Sequence, residues 1–581
     1  MKRPSALFAV SILGLAAAAL AIRLPRLAAR PMHGDEANQA ARAGLLWETG
    51  VYEYDPEQHH GPSLYWLTLP SLWASGAKDF GHSTEFTYRI VPVVFGVGLI
   101  VLSLLVADGL GRGPAILAAL FTAISPAMVF YSRYYVQEML LVFFTFAAIA
   151  CGWRYVHSRS IGWAIAAGVS FGLMHATKET WILAAAAMVI GLALTIVWTL
   201  LGDAAGRLPK SSRLRKSGEG EAPAEPQTAG TAPGLSRSFA LPALRSYFRP
   251  AAVLAALVAA CVVVVAFYSS FDEQWFKGPR NSILAYGTYF ERGADPGIHR
   301  HPWYYYLSLL VANRPAKGFF WTEGLIVGLA AVGFVASLWR SGQRVQGSGF
   351  RVQDSECRLC FSFPPFLAFY TLVLTALYSA IPYKTPWCLL SFFHGMILLA
   401  GMGAWAILRW LPGIPLKGLA CILLAAGAGH LARECCLLNF NPRYYADYRN
   451  PYVYAHTSTD VLNLAARMER LAQLSPEGRD MVVHVVTPEN YWPLPWYLRQ
   501  FNPTRVGYWQ DPAAWARYAA QGPPPSVIIL TPDVQETVTA GLRSAYNQQM
   551  MFGLRPEVFV SVWVREDLWQ VFLFDAAGKP G

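Results

Sequence analysis

Residues 32–40 read MHGDEANQA and place two carboxylates side by side, Asp35 and Glu36. The segment YDPEQHHGPSLYW adds His59 and His60 next to Asp55 and Glu57. Later come SRYYVQEM with Arg133 and Glu138, HATKETW with Lys178 and Glu179, and IPYKTPW with Tyr383 and Lys384. A carboxylate can take the proton of an attacking hydroxyl, and lysines and arginines can hold a phosphate. The same acids can bind a divalent metal such as magnesium or manganese, and His59 and His60 are candidate ligands for one. Each feature also has a plainer reading. Asp35 and Glu36 suit the first turn of a helix, where the macrodipole favours negative charge. Glu138 can pair with Arg133 about one turn away. Lys178, Glu179 and Lys384 can serve as anchors whose charged ends reach the lipid–water boundary.

The elements that carry these residues are membrane helices. The chain has 581 residues, 54% hydrophobic and 14% charged, where soluble domains carry about a quarter charged residues. Its mean hydropathy is +0.31. Spans of about 20 apolar residues cross a bilayer as helices because each backbone polar group must be satisfied within the segment. Eleven are predicted, at 6–22, 89–108, 114–131, 136–153, 161–176, 182–201, 250–269, 319–339, 363–381, 387–408 and 414–433. The first follows Lys2 and Arg3 and runs into Arg23, Arg26 and Arg30, which marks an uncleaved first helix rather than a signal peptide.

Lys and Arg in short loops stay on the cytoplasmic side. Lys2, Arg3, Arg112, Arg154, Arg159, the cluster Arg207 to Lys216, Arg340 to Arg358, Arg409 and Lys417 all fall on one side of an eleven-helix count. The expected chain is therefore a multi-pass protein of the cytoplasmic membrane with a cytoplasmic N-terminus. Its net charge of +11 reflects topology and contact with membrane lipids, and no nucleic-acid partner is needed to explain it. Residues 203–248, rich in Pro, Ala, Gly and charge, read as a disordered cytoplasmic linker, and 341–360 as a low-complexity loop. Cys357 and Cys360 form a lone CxxC with no second pair to complete a zinc site. The first 439 residues then form the membrane domain. From 440 to 581, helices expected at 458–474, 513–520 and 533–546 alternate with strands at 481–486, 504–509 and 526–531, before β-rich segments from 557 to 574. That alternation predicts an outer-face α/β domain with a mainly parallel sheet.

On this topology every polar cluster lies on the outer face. Burying an ion near a bilayer costs at least about 2.5 kcal/mol, so converging charges imply a hydrated cavity with work to do. A sugar on a polyprenyl phosphate suits such a cavity. Its tail lies along helices, its phosphate needs cations, and transfer to a glycan, lipid or protein acceptor needs a carboxylate base. Trp66, Trp303, Tyr304, Tyr305, Trp387 and Trp496 suit interfacial belts and sugar stacking alike. The alternative is a flippase or transporter of lipid-linked sugar, or an accessory protein without transferase activity. Secondary transporters place ionisable groups near the midplane, often within inverted repeats, and no such repeat is visible here.

HGDEANQA, YDPEQHHGP, SRYYVQEMLLVFFT, KETW and YKTPW resemble the GT-C superfamily of integral-membrane glycosyltransferases. They are most similar to the prokaryotic flippase-activity-associated family, related to dolichyl-phosphate-mannose protein mannosyltransferases. The likeness covers the membrane half well and extends more weakly through NPYVYAHTSTDV. It implies a GT-C-like fold with Asp35 as base, Glu36 as its neighbour and Glu138 as a second acidic position. It further implies that Arg133, Lys178 and Lys384 hold phosphate. No Trp-Trp-Asp motif is present, so transfer of a whole oligosaccharide to asparagine is not implied.

Overall fold

A computed structural model describes residues 6–57, 60–206, 249–270, 275–294, 297–317, 320–343 and 362–577. The predicted linker falls outside the described residues from 207 to 248, as does most of the loop at 341–360, including Cys357 and Cys360.

Each of the eleven apolar segments contains helix in its described part. The first nine helices are α1 (Ala6–Arg23), α2 (Gly34–Thr49), α3 (Ser63–Ser75), α4 (Glu85–Leu110), α5 (Arg112–Ile124), α6 (Pro126–Ser132), α7 (Glu138–Ser158), α8 (Ile161–His175) and α9 (Trp181–Gly206). Longer apolar helices follow at Pro250–Ser269, Gly324–Gln343, Phe363–Ala380, Leu390–Trp410 and Ile414–Phe440. Among the described residues eight helices are long and apolar enough to cross a membrane, and α5 with α6 make a ninth, bent by 61°. The segment expected at 114–131 as one span is this bent pair. Pro126 cannot supply the N–H that would carry the ladder through, and the Ser125 hydroxyl instead accepts from Met128 N at 3.2 Å to start α6. The helices at 161–175 and 324–339 are shorter than a full span.

α1 shows how the bundle is sorted. Phe8, Ile12, Ala16, Ala19 and Arg23 fall along one stripe and are buried, while Leu7, Val10 and Leu13 face outward. The most enclosed span, Leu390–Trp410, buries nearly every residue from Leu390 to Ala404 against its neighbours. Small residues let backbones meet there: a Cβ on Gly403 would lie 1.9 Å from Leu329 O.

The C-terminal region holds five strands, β1 (Val483–Val486), β2 (Val506–Trp509), β3 (Val527–Leu530), β4 (Tyr546–Arg555) and β5 (Val558–Arg565), ordered β2-β1-β3-β5-β4. The first three are parallel and β5 and β4 add antiparallel, so the sheet is mixed rather than mainly parallel. Alternation along β1 and β3 sends Val483, Val485, Val527 and Ile529 to a core with the Val461–Leu474 helix, and Val486, Ile528 and Leu530 to one with Trp515 and Val538. The helix expected at 533–546 stops at Ala540, and Tyr546–Arg555 is a strand whose polar YNQQ start hides its alternation. The end expected as β-rich turns helical at Glu566–Ala577, because LWQVFLF is an apolar run that either element can bury.

This region docks tightly on the membrane part. Trp496, fully buried, donates its indole N–H to Glu85 at 2.9 Å, and Arg499 lies over its ring at 3.7 Å. Tyr497 Oη accepts from Met32 N at 2.9 Å, and Thr457 donates to Met32 O at 2.6 Å. The segment entering α2 is thus held from both sides.

Candidate active site

α2 begins in a capping box. His33 Nδ1 accepts from Asp35 N at 3.0 Å, and Glu36 accepts from His33 N at 3.1 Å. Accepting at Nδ1 leaves the proton on Nε2, which donates to Tyr454 O at 3.0 Å. This anchoring separates the two acids. Glu36 is fully buried and takes Arg89 Nε at 2.8 Å, Arg89 Nη2 at 2.7 Å and Tyr135 N at 2.9 Å, with Arg30 at 3.9 Å. Burial alone would raise its carboxyl, but the charge and hydrogen bonds of Arg89, the charge of Arg30 and the Tyr135 N–H outweigh it and hold the group at about 2. With both oxygens committed, Glu36 is a permanent anion that fixes the start of α2, not an exchanger of protons. Asp35, one residue earlier, keeps its side chain 53% exposed.

The surroundings of Asp35 come from separate segments. Its charge acts on Tyr134, His299, Tyr383 and Tyr454. His299 Nδ1 lies 2.5 Å from Tyr454 Oη, and backbone bonds from Lys384 N to His299 O (3.0 Å) and from His301 N to Pro382 O (3.2 Å) tie the 299–301 and 382–384 loops together. Burial pushes His299 and His301 below the usual imidazole range, and the charges of His299 and Lys384 push His301 further. Lys384, buried, is itself lowered by desolvation and donates to Ile381 O. Burial raises Tyr383 to about 12 against the pull of Lys178, so the field of Lys178 and that of Asp35 overlap at one phenol. Behind these groups Trp387 stacks on Tyr134, with ring centres 6.1 Å apart, and meets Tyr454 edge-on at 5.8 Å.

The other predicted residues take defined places. Lys178 and Glu138 form a buried ion pair with each other, so Glu138 pairs across the bundle rather than with Arg133. Glu179 accepts from His60 at 2.9 Å, while Tyr289 also reaches His60 Nδ1 at 2.9 Å. His59 lies outside the described residues. Among the described residues no group of three or more His, Cys, Asp or Glu side chains is placed to hold a metal. Arg133 is turned away from Asp35, giving its guanidinium to the carbonyls of Arg23 (2.7 Å), Pro25 (2.8 Å) and Arg26 (3.2 Å) and lying over the Phe440 ring. Asp35 and Lys178 thus both act on Tyr383, the residue before Lys384, while the Arg133 guanidinium is spent on the carbonyls after α1.

Solved structures with the same architecture exist. ArnT from Cupriavidus metallidurans bound to undecaprenyl phosphate matches with a TM-score of 0.57 at 15% identity, over 95% of this chain and 97% of that one. The two chains share one fold over nearly their whole length. The apo state of the same ArnT gives 0.56 over the same shares at 15% identity. The Archaeoglobus fulgidus oligosaccharyltransferase tethered to an acceptor peptide gives 0.51 at 11% identity, over 95% of this chain and 74% of that one. Residues 67–217 match the family described as dolichyl-phosphate-mannose-protein mannosyltransferase. No curated protein matches significantly.

Sequence reasoning passed over Arg30, Arg89, His33, His299 and Tyr454. Arg89 sits inside an apolar run and reads as a span boundary, yet it is fully buried and neutralises Glu36. An arginine within a span is itself a signal that a partner acid exists. His299 and Tyr454 carry no local spacing pattern, because their partners lie 155 residues apart in the chain.

Proposed function

We propose that this GT-C protein transfers a sugar from a polyprenyl-phosphate donor to a glycan, lipid or protein acceptor at the outer face of the cytoplasmic membrane. The observation that carries the reading is the division of labour between adjacent acids. Glu36 is locked by Arg89, and Asp35 stands partly open among His299, Tyr383 and Tyr454. Asp35 takes the proton of the acceptor hydroxyl as that oxygen attacks the sugar carbon bonded to the phosphate oxygen. The bond to the leaving phosphate then breaks, and its growing negative charge is met by Lys384, with Lys178 and its Glu138 partner behind. The phosphate leaves as the lipid-linked product. Tyr454 and His299, hydrogen-bonded to each other and within the field of Asp35, can orient sugar or acceptor hydroxyls. The N-terminus lies in the cytoplasm and the C-terminal region on the outer side. Divalent metal enters no step of this scheme.

Support for transfer over flipping comes from placement, since Asp35, Glu36 and Glu138 stand in the first turns of their helices rather than within them. Replacing Asp35 with Asn should lower transfer from labelled polyprenyl-phosphate sugar by about 100- to 10 000-fold in membranes, with unchanged insertion and melting temperature. Turnover at the wild-type rate removes Asp35 as the base.

A further inference from the structure

Glu323 stands outside the groups described so far, immediately before the Gly324–Gln343 helix, and is buried. No basic side chain pairs with it among the described residues. Three neutral donors meet on it instead. Its Oε2 accepts from the Ser125 hydroxyl at 2.6 Å, and its Oε1 accepts from Ala127 N at 2.8 Å and from the Tyr452 hydroxyl at 2.5 Å. A carboxylate suits that place because it only accepts and offers two oxygens with about four lone-pair sites. Ser125 and Ala127 stand at the break where α5 gives way to α6, and Tyr452 belongs to the segment that follows the Ile414–Phe440 helix.

Both arms of this contact lead to Asp35. Tyr452 O accepts from the Tyr131 hydroxyl of α6 at 3.0 Å, and two residues on, Tyr454 O accepts from His33 Nε2 at 3.0 Å. His33 Nδ1 in turn accepts from Asp35 N at 3.0 Å. The other arm runs along α6 to Tyr134, two residues beyond its end, whose ring lies 5.4 Å from that of His33. Tyr452 therefore bonds through its hydroxyl to Glu323 and through its carbonyl to α6, and the same carboxylate holds the start of α6. The segment is anchored at its ends, by Asn450 Nδ2 to Leu438 O at 3.0 Å and by Thr457 to Met32 O at 2.6 Å. Glu323 grips its middle.

We infer that Glu323 is a positioning residue for sugar transfer, which sets where Asp35 stands by holding α6 and the Tyr452–Tyr454 segment together around His33. The inference rests on Asp35 being the base of the proposed reaction. Glu323 acts through His33 and takes no proton from the acceptor.

Two variants separate this role from a general one in folding. Glu323→Met is of similar size and removes every acceptor, whereas Glu323→Gln keeps the oxygen that Ala127 and Tyr452 share and turns its amide to the Ser125 hydroxyl, which can accept. In the full chain in detergent, below the melting temperature of each variant, Glu323→Met should lower kcat about 100-fold, as a displacement of about 1 Å does. The KM for labelled polyprenyl-phosphate sugar should not change, and Glu323→Gln should recover most of the rate. Hydrogen exchange of segments 32–37 and 450–457, read by mass spectrometry, should quicken in Glu323→Met and return toward wild type in Glu323→Gln. Wild-type exchange in Glu323→Met overturns the inference, whether or not kcat falls, because Glu323 then does not act through His33. Quickened exchange with wild-type kcat overturns it too, and Asp35→Asn measured alongside locates the fault. If Asp35→Asn also turns over at the wild-type rate, the reading of Asp35 as base has failed; if it is inactive, only the role of Glu323 has.

Discussion

At residue 36 a carboxylate is worth more as a fixture than as a reagent. Removing its charge leaves Arg89 buried without a counter-ion, which costs about 3–5 kcal/mol. Glu36→Gln should therefore lower the melting temperature strongly, whereas Asp35→Asn should not, and calorimetry of the two variants in detergent compares them directly. The pH dependence follows from the depressed carboxyl. Its folded value of about 2 lies below the ordinary 4.5, so its contribution to stability is complete above 4.5 and is lost as pH falls toward 2. A melting curve series from pH 6 to pH 3 should fall more steeply for wild type than for Glu36→Gln. His456, buried against His33 with rings 5.4 Å apart, is pushed well below the usual imidazole range by burial and then by the charges of Arg30 and Arg89. It thus adds no further cation to a crowded positive region.

Among elements, the approach of the 60–63 and 176–179 loops decides where Lys178 and Glu179 stand. Ser63 N donates to Ala176 O at 2.8 Å, and the Ser63 and Thr177 hydroxyls meet at 2.7 Å. Gly61 permits this contact, since a Cβ there would lie 2.3 Å from Ala176 O. Gly61→Ala must part the loops and tilt Lys178 away from the cavity. Displacements of about 1 Å cost about 100-fold in rate. Initial-rate assays should show that loss in kcat with a small change in melting temperature. A second joint is the Trp496 clamp on Glu85 and Arg499. Trp496→Ala removes a fully buried ring at a cost of about 3–5 kcal/mol. Limited proteolysis should then release the region after Asn441 well before the membrane part, while wild type resists.

At the scale of the whole molecule, the membrane bundle and the C-terminal region meet beside Asp35. Tyr452, Tyr454 and Thr457 reach back to Tyr131, His299 and Met32, so the sheet-bearing region forms part of the wall around Asp35. A topology reporter fused after Trp509 should report the outer compartment. A cytoplasmic signal would refute the eleven-span count and the placement of the site.

The apolar lengths that must cross a membrane, the short apolar runs that become β1 and β3, and the clustering of polar residues in a few loops were all legible in the sequence. Each is dictated locally, by the need to satisfy backbone groups or to bury a strand on both faces. The antiparallel edge made by β4 and β5 and the helix at Glu566–Ala577 depended on tertiary neighbours. The same holds for the acids. Asp35 and Glu36 are chemically near-identical in sequence, and only the tertiary structure, by bringing Arg89 from 53 residues away onto one of them, decides which is locked and which is left to react. Coulomb interaction in a buried site depends on distance in space, which sequence order does not encode.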